Sequence, residues 1–570
     1  MRLKISTSKN AKSLYVIKST YENGIRSTKI VEKLGTYDSL LKKLNGQDPV
    51  EWAKRYIDDL NRKEKEENRE VIMRWSQSRR VIKDEQHTFN GGYLFLQQLY
   101  YQLGMDKICR DISRKYEFTY DLNAVLSRLV YSRVLFPASK LGTFELSRRF
   151  IEQPDFELQH IYRALEVIAK ENDFIQSELY KNSLKISERS CGILYYDCTN
   201  YFFEIEQEDG LKQYGHSKEH RPNPIVQMGL FMDADGIPLA FCINPGNTNE
   251  QTTMQPLEKK ILSDFGQSKL IVCTDAGLAS TGNRKFNDTK DRAFVTTRSV
   301  KTLKAHLKEW ALSPDGWHLP GSRKLFNISQ LDDDPDRDSI FYKERWINEN
   351  GLEQRLIITY SIKSREYQRS IRNGQIERAT GMMNVRPGRL KKNSQNDFRR
   401  FVTKTSVTKD GEIAEKEIFG IDTDLIAEEE KYDGFYGICT NLEDDAVEIL
   451  KVNQRRWQIE ECFRIMKTEF KARPVYLSRD DRITAHFTTC FIALLIYRLL
   501  EKRLGGEFTA DRIIQCLRDM NFYSMPGNGF IPGYTRTDLT DMLHKTAGFQ
   551  TDFQIVSTVQ MKSIIAKSKK

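Results

Sequence analysis

Two aspartates interrupt or end apolar runs in the middle of the chain. Asp197 lies within GILYYDCTNYFF, and Asp275 ends an apolar run, LIVCTDAGLAS, just before a glycine turn. A single aspartate at such a position is most often a cap or a turn former. A carboxylate buried as an anion is costly, however, unless a cation pairs with it or it is protonated. Two carboxylates at strand ends of one sheet also raise each other's pKa unless a cation lies between them, so the pair favours a cation-binding site.

The third candidate is a glutamate in the segment VNQRRWQIEECFRIMKTEF. At about 100° per residue, one stripe of the predicted helix carries Arg456, Glu460 and Lys467, with Arg464 close by. Glu461 points elsewhere, so the spacing selects Glu460. The adjacent apolar face, suited to packing on a sheet, consists of Ile459, Cys462, Phe463, Met466 and Phe470. The alternative is a surface helix with i,i+4 ion pairs between Arg456, Glu460 and Arg464.

Hydrophobic patterning predicts the elements that must position these three carboxylates. Short strands begin near residue 191, a turn at Asp235-Gly236 separates two of them, and a helix near Glu250 leads to a further strand. This order predicts a mixed α/β sheet that carries both aspartates. The α/β pattern resumes at DGFYGICTN, which is followed by one long helix from about 445 to 470.

The flanking regions have different patterns. Two β-rich runs around Glu22-Asn23-Gly24 predict a hairpin, and Pro49 opens an amphipathic helix. Residues 92–188 are helical in pattern, with Pro137 as a helix breaker, and their apolar stripes fit either a plain core or a DNA-docking unit.

We therefore expect a multidomain α/β protein. Its predicted parts are a small α+β module with a linker (1–85), a helical domain that is a candidate for DNA binding (86–188), the first part of the core (189–300), a β-rich basic insertion (301–430), the second part of the core with the glutamate helix (431–505), and a helical C-terminal region with a basic tail (506–570).

Composition narrows the class of protein. The chain of 570 residues has 89 Lys and Arg against 79 Asp and Glu, a net charge of +10, which fits either a nucleic-acid partner or solvated basic faces. The nine cysteines form no CxxC pair, which suggests reduced thiols and a cytoplasmic location. No signal peptide is visible, and the apolar run from Phe491 to Leu500 predicts a buried helix because a membrane span needs about 20 residues.

Two further segments could contact phosphate. Residues 363–404 contain 12 Lys and Arg against 3 Asp and Glu, a pattern of phosphate neutralisation or of a solvated face. In GHSKEHR, His216 and His220 lie next to Lys218 and Arg221; we expect loop residues or phosphate contacts there and not metal ligands. In the nearby PGNTNE turn we expect Asn247 and Asn249 to cap the helix that follows.

Taken together, these motifs resemble the DDE transposases of bacterial insertion sequences. The similar branch has the signature Y-x2-R-x3-E-x6-K, which Arg456, Glu460 and Lys467 match at the right spacing, although Asn453 replaces the tyrosine. The segments YGHSKEHRPNPIVQMGL, GIPLAFCINPGNTNEQTTM and DGFYGICTN, the last with Asp433 and Gly434, also match. The resemblance covers roughly residues 90–500, and its specificity lies in the ordered set of motifs.

The resemblance implies a ribonuclease H-like mixed sheet with helices, interrupted by the β-rich insertion. It implies that Asp197, Asp275 and Glu460 are both catalytic residues and ligands of two Mg²⁺ ions, which Mn²⁺ can replace, with Asp197 bridging both. The expected DNA-binding residues are Arg456, Lys467, Arg464, Lys218 and Arg221.

The implied activity is cut-and-paste transposition of DNA. The partners would be double-stranded DNA, as terminal inverted repeats and as target, and a second copy of the chain in a synaptic homodimer; no membrane is expected. A ribonuclease H-like nuclease without strand transfer and a non-catalytic, transposase-derived DNA-binding protein are the alternatives.

Overall fold

The computed structural model describes residues 1–8, 11–22, 25–67, 72, 76–78, 80–385, 397–406 and 417–570. The chain divides into two compact units, an N-terminal unit of residues 1–85 and a main unit of residues 86–570. The finer domain boundaries within the main unit remain predictions.

The N-terminal unit is a three-stranded antiparallel sheet with helices. Its elements are β1 (Arg2–Ser8), β2 (Ala11–Glu22), β3 (Ile25–Thr36), α1 (Tyr37–Lys43) and α2 (Pro49–Glu67). Strands β2 and β3 pair up to Glu22 and Ile25, which confirms the predicted hairpin, while Asn23 and Gly24 lie outside the described residues. Pro49 begins α2 as predicted, because its fixed φ suits the first turn of a helix.

The first part of the main unit is helical, as predicted. Its elements are β4 (Thr88–Asn90), α3 (Tyr93–Gln102), α4 (Met105–Ser113), α5 (Leu122–Leu135), α6 (Lys140–Ser147), α7 (Leu158–Lys170) and α8 (Asn172–Ile186). Helix α5 ends two residues before Pro137, because proline has no N–H to donate and restricts the preceding residue.

The middle of the main unit alternates strands and helices. Its elements are β5 (Ile193–Phe202), β6 (Ile225–Asp233), β7 (Pro238–Pro245), α9 (Met254–Asp264), β8 (Leu270–Thr274), α10 (Thr281–Phe286), β9 (Arg292–Arg298), α11 (Ala305–Leu312), β10 (Trp317–His318), β11 (Leu325–Phe326), β12 (Phe341–Glu349), β13 (Leu352–Tyr360), α12 (Ile362–Val385), β14 (Val402–Ser406), β15 (Glu417–Ile421), α13 (Thr423–Glu430) and β16 (Phe435–Thr440).

The last part returns to helices. Its elements are α14 (Ala446–Gln454), α15 (Trp457–Thr468), α16 (Asp480–Arg503), α17 (Ala510–Asp519), β17 (Asn521–Met525), β18 (Gly529–Pro532), α18 (Asp538–Ala547) and α19 (Thr558–Lys567).

A large mixed sheet forms the centre of the main unit. Within the described ranges its ten strands have the order β11-β10-β12-β13-β16-β9-β8-β5-β6-β7. Strands β5, β6 and β7 form an antiparallel meander, and α9 then crosses over to β8, which is parallel to both β5 and β9. Every residue of β6 is buried, as expected for a strand covered on both faces. The predicted mixed α/β sheet is confirmed.

The segment predicted as a β-rich insertion, residues 301–430, differs from that expectation. Its longest element is the 24-residue helix α12, which carries the first half of the basic tract. Strands β12 and β13 extend the main sheet, because β13 pairs with β16, and only β14 and β15 form a separate hairpin. Residues 386–396 of the basic tract lie outside the described residues.

The helix predicted from 445 to 470 is two helices, α14 and α15. The break occurs because the amides of Arg455 and Arg456 donate to carbonyls three residues back, those of Val452 and Asn453, at 3.3 and 3.2 Å. Such i→i+3 bonds tighten a helical turn and redirect the axis. Arg456 therefore precedes the first residue of α15 and does not lie in mid-helix.

Helix α16 is the apolar centre of the main unit. It is the one helix among the described residues that is long and apolar enough to cross a membrane, and 94% of its apolar window is buried inside the protein. Such burial is typical of a core helix, and the prediction for Phe491–Leu500 is confirmed. All nine cysteines are free in the part of the chain that the structure describes, and the two that are not fully buried are Cys242 and Cys516.

The C-terminal region is less helical than expected and ends in a docked helix. Strand β17 pairs with both β18 and β4, which forms a second small sheet from the two ends of the main unit. The predicted basic tail is mostly α19, whose residues Met561 and Ile564 are buried in the core. The apolar residues at helical spacing explain this docking.

Candidate active site

The register of two parallel strands places Asp197 next to Asp275. Strands β5 and β8 pair at Ile193 with Ile271 and at Tyr195 with Cys273. Continuing this register by two residues puts Asp197 opposite Asp275, on the same face of the sheet, since side chains alternate along a strand. Neighbouring strands are about 4.8 Å apart. Two aspartates far apart in sequence therefore lie side by side at the end of the sheet.

The electrostatics of Asp197 agree with this placement. Its Oδ1 accepts a hydrogen bond from the Cys198 amide at 2.7 Å. Burial raises the pKa of Asp197 to about 6; Lys218 opposes the rise and the Asp275 carboxylate adds to it, while the Cys198 amide and Arg456 oppose it as well. Two carboxylates side by side, with burial disfavouring the charge of one of them, are a natural place for a divalent cation.

Asp275 is held by the turn that follows β8. Its Oδ1 accepts the Leu278 amide at 2.9 Å, and its main-chain carbonyl accepts the Thr296 hydroxyl at 3.2 Å. A Cβ on Gly277 would lie 3.4 Å from both carboxylate oxygens, a close but ordinary contact. Asp275 therefore forms a turn, as most such aspartates do, and also faces Asp197.

Glu460 is presented by the first turn of α15. The apolar face predicted for this helix packs inward as expected, with Ile459, Cys462, Phe463, Met466 and Phe470 all buried. The Glu460 side chain is 64% exposed, and its Oε1 lies 3.9 Å from Nη2 of Arg456. Helix α14 is tied to the strand of Asp197 by the Tyr195 hydroxyl, which donates to the Val452 carbonyl at 2.7 Å.

Arg456 links the helix glutamate to the two aspartates. Burial lowers the pKa of its guanidinium, but Tyr436 and the carboxylates of Asp197 and Asp275 outweigh this and raise it. The same guanidinium approaches Glu460. The structure thus brings Asp197 and Asp275 together and connects them to Glu460 through Arg456, whereas the Glu460 carboxylate itself faces solvent.

Two lysines flank Asp197. Lys218 donates to the Cys198 carbonyl and lies 3.2 Å from Glu250. The pKa of Lys467 is lowered to about 8: burial lowers it most, Lys218 also lowers it, and Asp197 partly opposes the change. Lys467 is also 3.5 Å from Glu219. The predicted phosphate-binding lysines therefore lie at the aspartate pair.

The other two predicted DNA-binding arginines are engaged elsewhere. Arg464 makes a two-pronged contact with Glu461, at 2.7 Å from each oxygen, and lies 3.5 Å from Glu469. Arg221 covers the Phe202 ring at 4.1 Å and is 3.7 Å from Glu219. Of the ion pairs considered for the helix surface, the one between Arg456 and Glu460 is present. Arg464 pairs with Glu461 and not with Glu460.

Neighbouring polar residues take structural roles. His216 and His220 are exposed loop residues, and Asn200 of β5 donates to the His216 carbonyl at 3.0 Å. Asn249 caps the 3-10 turn Glu250–Thr252 as predicted. The same expectation for Asn247 is wrong, because its amide faces Gln213 at 3.5 Å and not the helix start.

Sequence reasoning did not identify Glu219 and Glu250, which hold the flanking lysines. Both glutamates lie in motifs that were noted, yet spacing does not reveal a partner so distant in the chain. Asn453, the departure from the tyrosine signature, is 8% exposed, and its side-chain oxygen has no donor within the described part of the chain. It lines a cavity of about 330 Å³ together with Trp457 and Glu460.

A second group of possible metal ligands occurs near the C-terminus. Atoms of Asp541, His544 and Asp552 lie within 4.8 Å of one another. The Arg536 Nε lies 2.6 Å from Asp541 and 3.4 Å from Asp552, so a side-chain cation already neutralises this group.

Three comparisons place the chain among known proteins. The sequence profile of the family described as Transposase DDE domain matches residues 201–496, a range that includes Asp275 and Glu460 and begins four residues after Asp197. No curated protein matches the chain. A solved structure, the cryo-EM structure of a piggyBac transposase synaptic complex with hairpin DNA, is similar with a TM-score of 0.36 and 9% identity, over 86% of this chain and 87% of that one.

Proposed function

Because the chain belongs to the transposase DDE domain family, we propose that it is a cut-and-paste transposase that cleaves the ends of an insertion sequence and transfers them to target DNA. The observation that carries this proposal is the parallel register of β5 and β8, which sets Asp197 beside Asp275. Three basic side chains that can bind phosphate lie around that pair: Lys218, Lys467 and Arg456. Their presence supports a DNA substrate.

Asp197, Asp275 and Glu460 are the proposed catalytic residues and ligands of two Mg²⁺ ions. The donors are all carboxylate oxygens, which this hard cation prefers and which Mn²⁺ also accepts. The raised pKa of Asp197 fits the assignment, because burial and the neighbouring Asp275 disfavour an uncompensated anion there. The bound ions would supply an activated hydroxyl nucleophile and stabilise the departing oxygen.

The chain's own side chains would position the DNA. Arg456 offers a planar fork that matches a phosphate bidentately, and it already lies between Glu460 and the aspartates. Lys467 and Lys218 act as point charges near Asp197. Arg221 and Arg464, which are exposed but engaged with glutamates, would serve as outer contacts to the backbone.

The sheet supports a ribonuclease H-like core. An antiparallel meander followed by two parallel strands on the opposite side of β5 is the arrangement that we expect for this core. We further propose that the protein acts in the cytoplasm as a homodimer, because two element ends must be held together, and that it binds terminal inverted repeats and target DNA.

Replacement of Asp197 by Asn tests the proposal. The variant keeps the shape of the side chain and removes a metal-binding charge, so Mg²⁺-dependent nicking of duplexes carrying the element ends should fall by at least about a hundredfold. The matched control is Asp209→Asn, at an exposed aspartate after β5, which should cleave as the wild type does. Unchanged cleavage by Asp197→Asn would remove the catalytic assignment.

A second assay separates transposition from the two alternatives. Supplied with pre-cut ends and a target plasmid, the wild type should form joined products. Nicks without joining would indicate a nuclease, and a gel shift without Mg²⁺- or Mn²⁺-dependent nicks would indicate a DNA-binding protein.

A further inference from the structure

A basic cavity of about 270 Å³ lies where the loop after α5 meets the loop between α15 and α16. Its cationic residues are Arg133, Lys140, Lys471 and Arg473. The remaining walls are neutral, and none of the described residues that line the cavity carries a carboxylate. A concave surface whose charged groups are all basic attracts an anion.

Lys140 is the unusual member of this lining. Its side chain is buried, with 6% of the residue exposed, and its Nζ has no hydrogen-bond partner in the described part of the chain. A buried ammonium group without an acceptor is costly, because its lost hydration is not replaced. A protein that retains such a group usually uses it in binding or catalysis.

The groups around Lys140 also favour an anion. Burial and the nearby Arg133 guanidinium lower the pKa of Lys140 to about 7. Arg133 is fixed by the carbonyls of Phe470 and Lys471, to which its Nη1 donates at 3.1 and 3.5 Å. His486 faces the Ala472 carbonyl at 3.2 Å, and burial lowers its pKa well below the usual range, so its imidazole is neutral and adds no charge to the cavity.

The start of α6 adds a second attraction for an anion. Lys140 is the first residue of this helix, and the Ser139 hydroxyl accepts the Gly142 amide at 3.1 Å. The first-turn amides of a helix have no carbonyl partners within the helix and carry its positive dipole end. Such an end beside a lysine is a common phosphate site.

We propose that this cavity, the Lys140 pocket, holds one phosphate group of the DNA backbone. The proposal rests on the proposed function and adds a contact from the helical region to it. DNA is favoured over a free anion because side-chain contacts link the pocket to the candidate active site: Arg473 of the pocket contacts Glu219, which Lys467 also contacts. Tyr476 at the rim is 69% exposed and available to pack against a sugar or base.

The test compares two buried lysines. Lys140→Met keeps the length of the side chain and removes the charge. The matched control is Lys343→Met, because Lys343 is equally buried but donates to the Ser313 carbonyl at 2.9 Å and lies 4.5 Å from the centre of the Trp317 ring. Binding of a random-sequence duplex is measured across a range of salt concentrations, and thermal unfolding is measured for both variants.

Lys140→Met should bind the duplex about tenfold more weakly, and the slope of log affinity against log salt should shrink by about one. Its melting temperature should stay or rise, because an unpaired buried charge is lost. Lys343→Met should show the opposite pattern, with unchanged DNA binding and a lower melting temperature. Equal salt slopes for wild type and Lys140→Met, or a destabilised Lys140→Met, would overturn the proposal.

A second measurement identifies the source of the anion. If inorganic phosphate raises the melting temperature of the wild type but not of Lys140→Met while the salt slopes are equal, the pocket binds free phosphate and the DNA assignment is wrong. Failure of the proposed function has a different signature, since the wild type would then form no metal-dependent nicks although the two salt slopes still differed.

Discussion

At the scale of single residues, the candidate site places two carboxylates, which favour a bound cation, close to basic side chains, which favour a bound phosphate. The Asp275 carboxylate disfavours the ionisation of Asp197, while Arg456 and Lys467 are partly buried near Asp197. Glu460 and Glu461 adjoin in sequence yet face different partners: Glu460 approaches Arg456, and Glu461 is bound to Arg464. These different surroundings fit the proposed catalytic role of Glu460 and a structural role for Glu461.

The pair Glu460→Gln and Glu461→Gln tests this separation. Glu460→Gln should lower strand cleavage by at least about a hundredfold and leave end binding largely intact, because it removes a metal ligand and not a phosphate contact. Glu461→Gln should cleave normally and lose at most about 0.5 kcal/mol of stability, the usual worth of a surface ion pair. Cleavage assays and denaturant unfolding measure these effects. An equal loss of cleavage at both positions would contradict the assignment of Glu460.

Glu258 of α9 gives a pH prediction outside the site. Burial raises its pKa to about 7, although the Asn287 amide opposes the rise. The folded protein thus holds this proton more tightly than the unfolded chain, so the associated stability is present below about pH 4.5 and is lost as the pH rises through about 7. Glu258→Gln should therefore raise the free energy of unfolding by about 2 kcal/mol at pH 8.

The same substitution should change little near pH 4.5, where the carboxyl of Glu258 is already protonated in the folded protein. Urea unfolding at both pH values measures the difference. A constant effect of Glu258→Gln across this range would show that the carboxyl does not titrate as described.

At the scale of elements, the main sheet continues beyond the strands that carry the aspartates. Strand β13 pairs with β16, which pairs with β9, so the residues between Asp275 and Glu460 are joined to the core by main-chain hydrogen bonds. Helix α12 is fastened beside them by a buried ion pair: Arg372 donates to both oxygens of Asp433 at 2.7 Å. This pair connects the basic helix to the turn that begins β16.

Breaking that ion pair should destabilise the main unit. Arg372→Met leaves the buried Asp433 carboxylate without its cation and should cost about 3 kcal/mol. The double variant Arg372→Met/Asp433→Asn removes both charges and should cost clearly less than the sum of the two single changes, by a double-mutant cycle in denaturant. Additive effects of the two substitutions would show that the charges act independently.

At the scale of the whole molecule, the main unit is closed by its two ends. Strand β4 pairs with β17. The side-chain amide of Asn90 donates to the Leu517 carbonyl at 2.9 Å, although the two residues are 427 positions apart in the chain. Gly92 allows this closure, because a Cβ at that position would lie 1.9 Å from the same Leu517 carbonyl oxygen. The helical regions before and after the sheet therefore form one core.

Gly92→Ala should disturb this closure. The added methyl group forces α3 away from α17 and should cost about 3 kcal/mol, as overpacking in a core does. Gly192→Ala is the matched control, because no described atom lies within 4 Å of a Cβ there, and it should leave stability near that of the wild type. Thermal unfolding compares the two, and equal melting temperatures would contradict the close approach of α3 and α17.

The sequence by itself determined the local features of this protein. Apolar periodicity located the helices of 92–188, the strands around Asp197 and Asp275, and the buried face of α15, because these patterns reflect which side of an element is excluded from water. It also selected Asp197 and Asp275, since an acidic residue in an apolar run requires a compensating partner, and helical spacing selected Glu460 over Glu461.

Only the tertiary structure decided which distant residues meet. The strands of 301–430 carry no signal of their partner, so their inclusion in the main sheet depends on pairing with β16. The break at Arg455–Arg456, the glutamates that hold Lys218 and Lys467, and the unpaired ammonium of Lys140 follow from packing between segments far apart in the chain. Short-range patterns encode burial and capping, whereas contacts between such segments are fixed by the three-dimensional core that they build together.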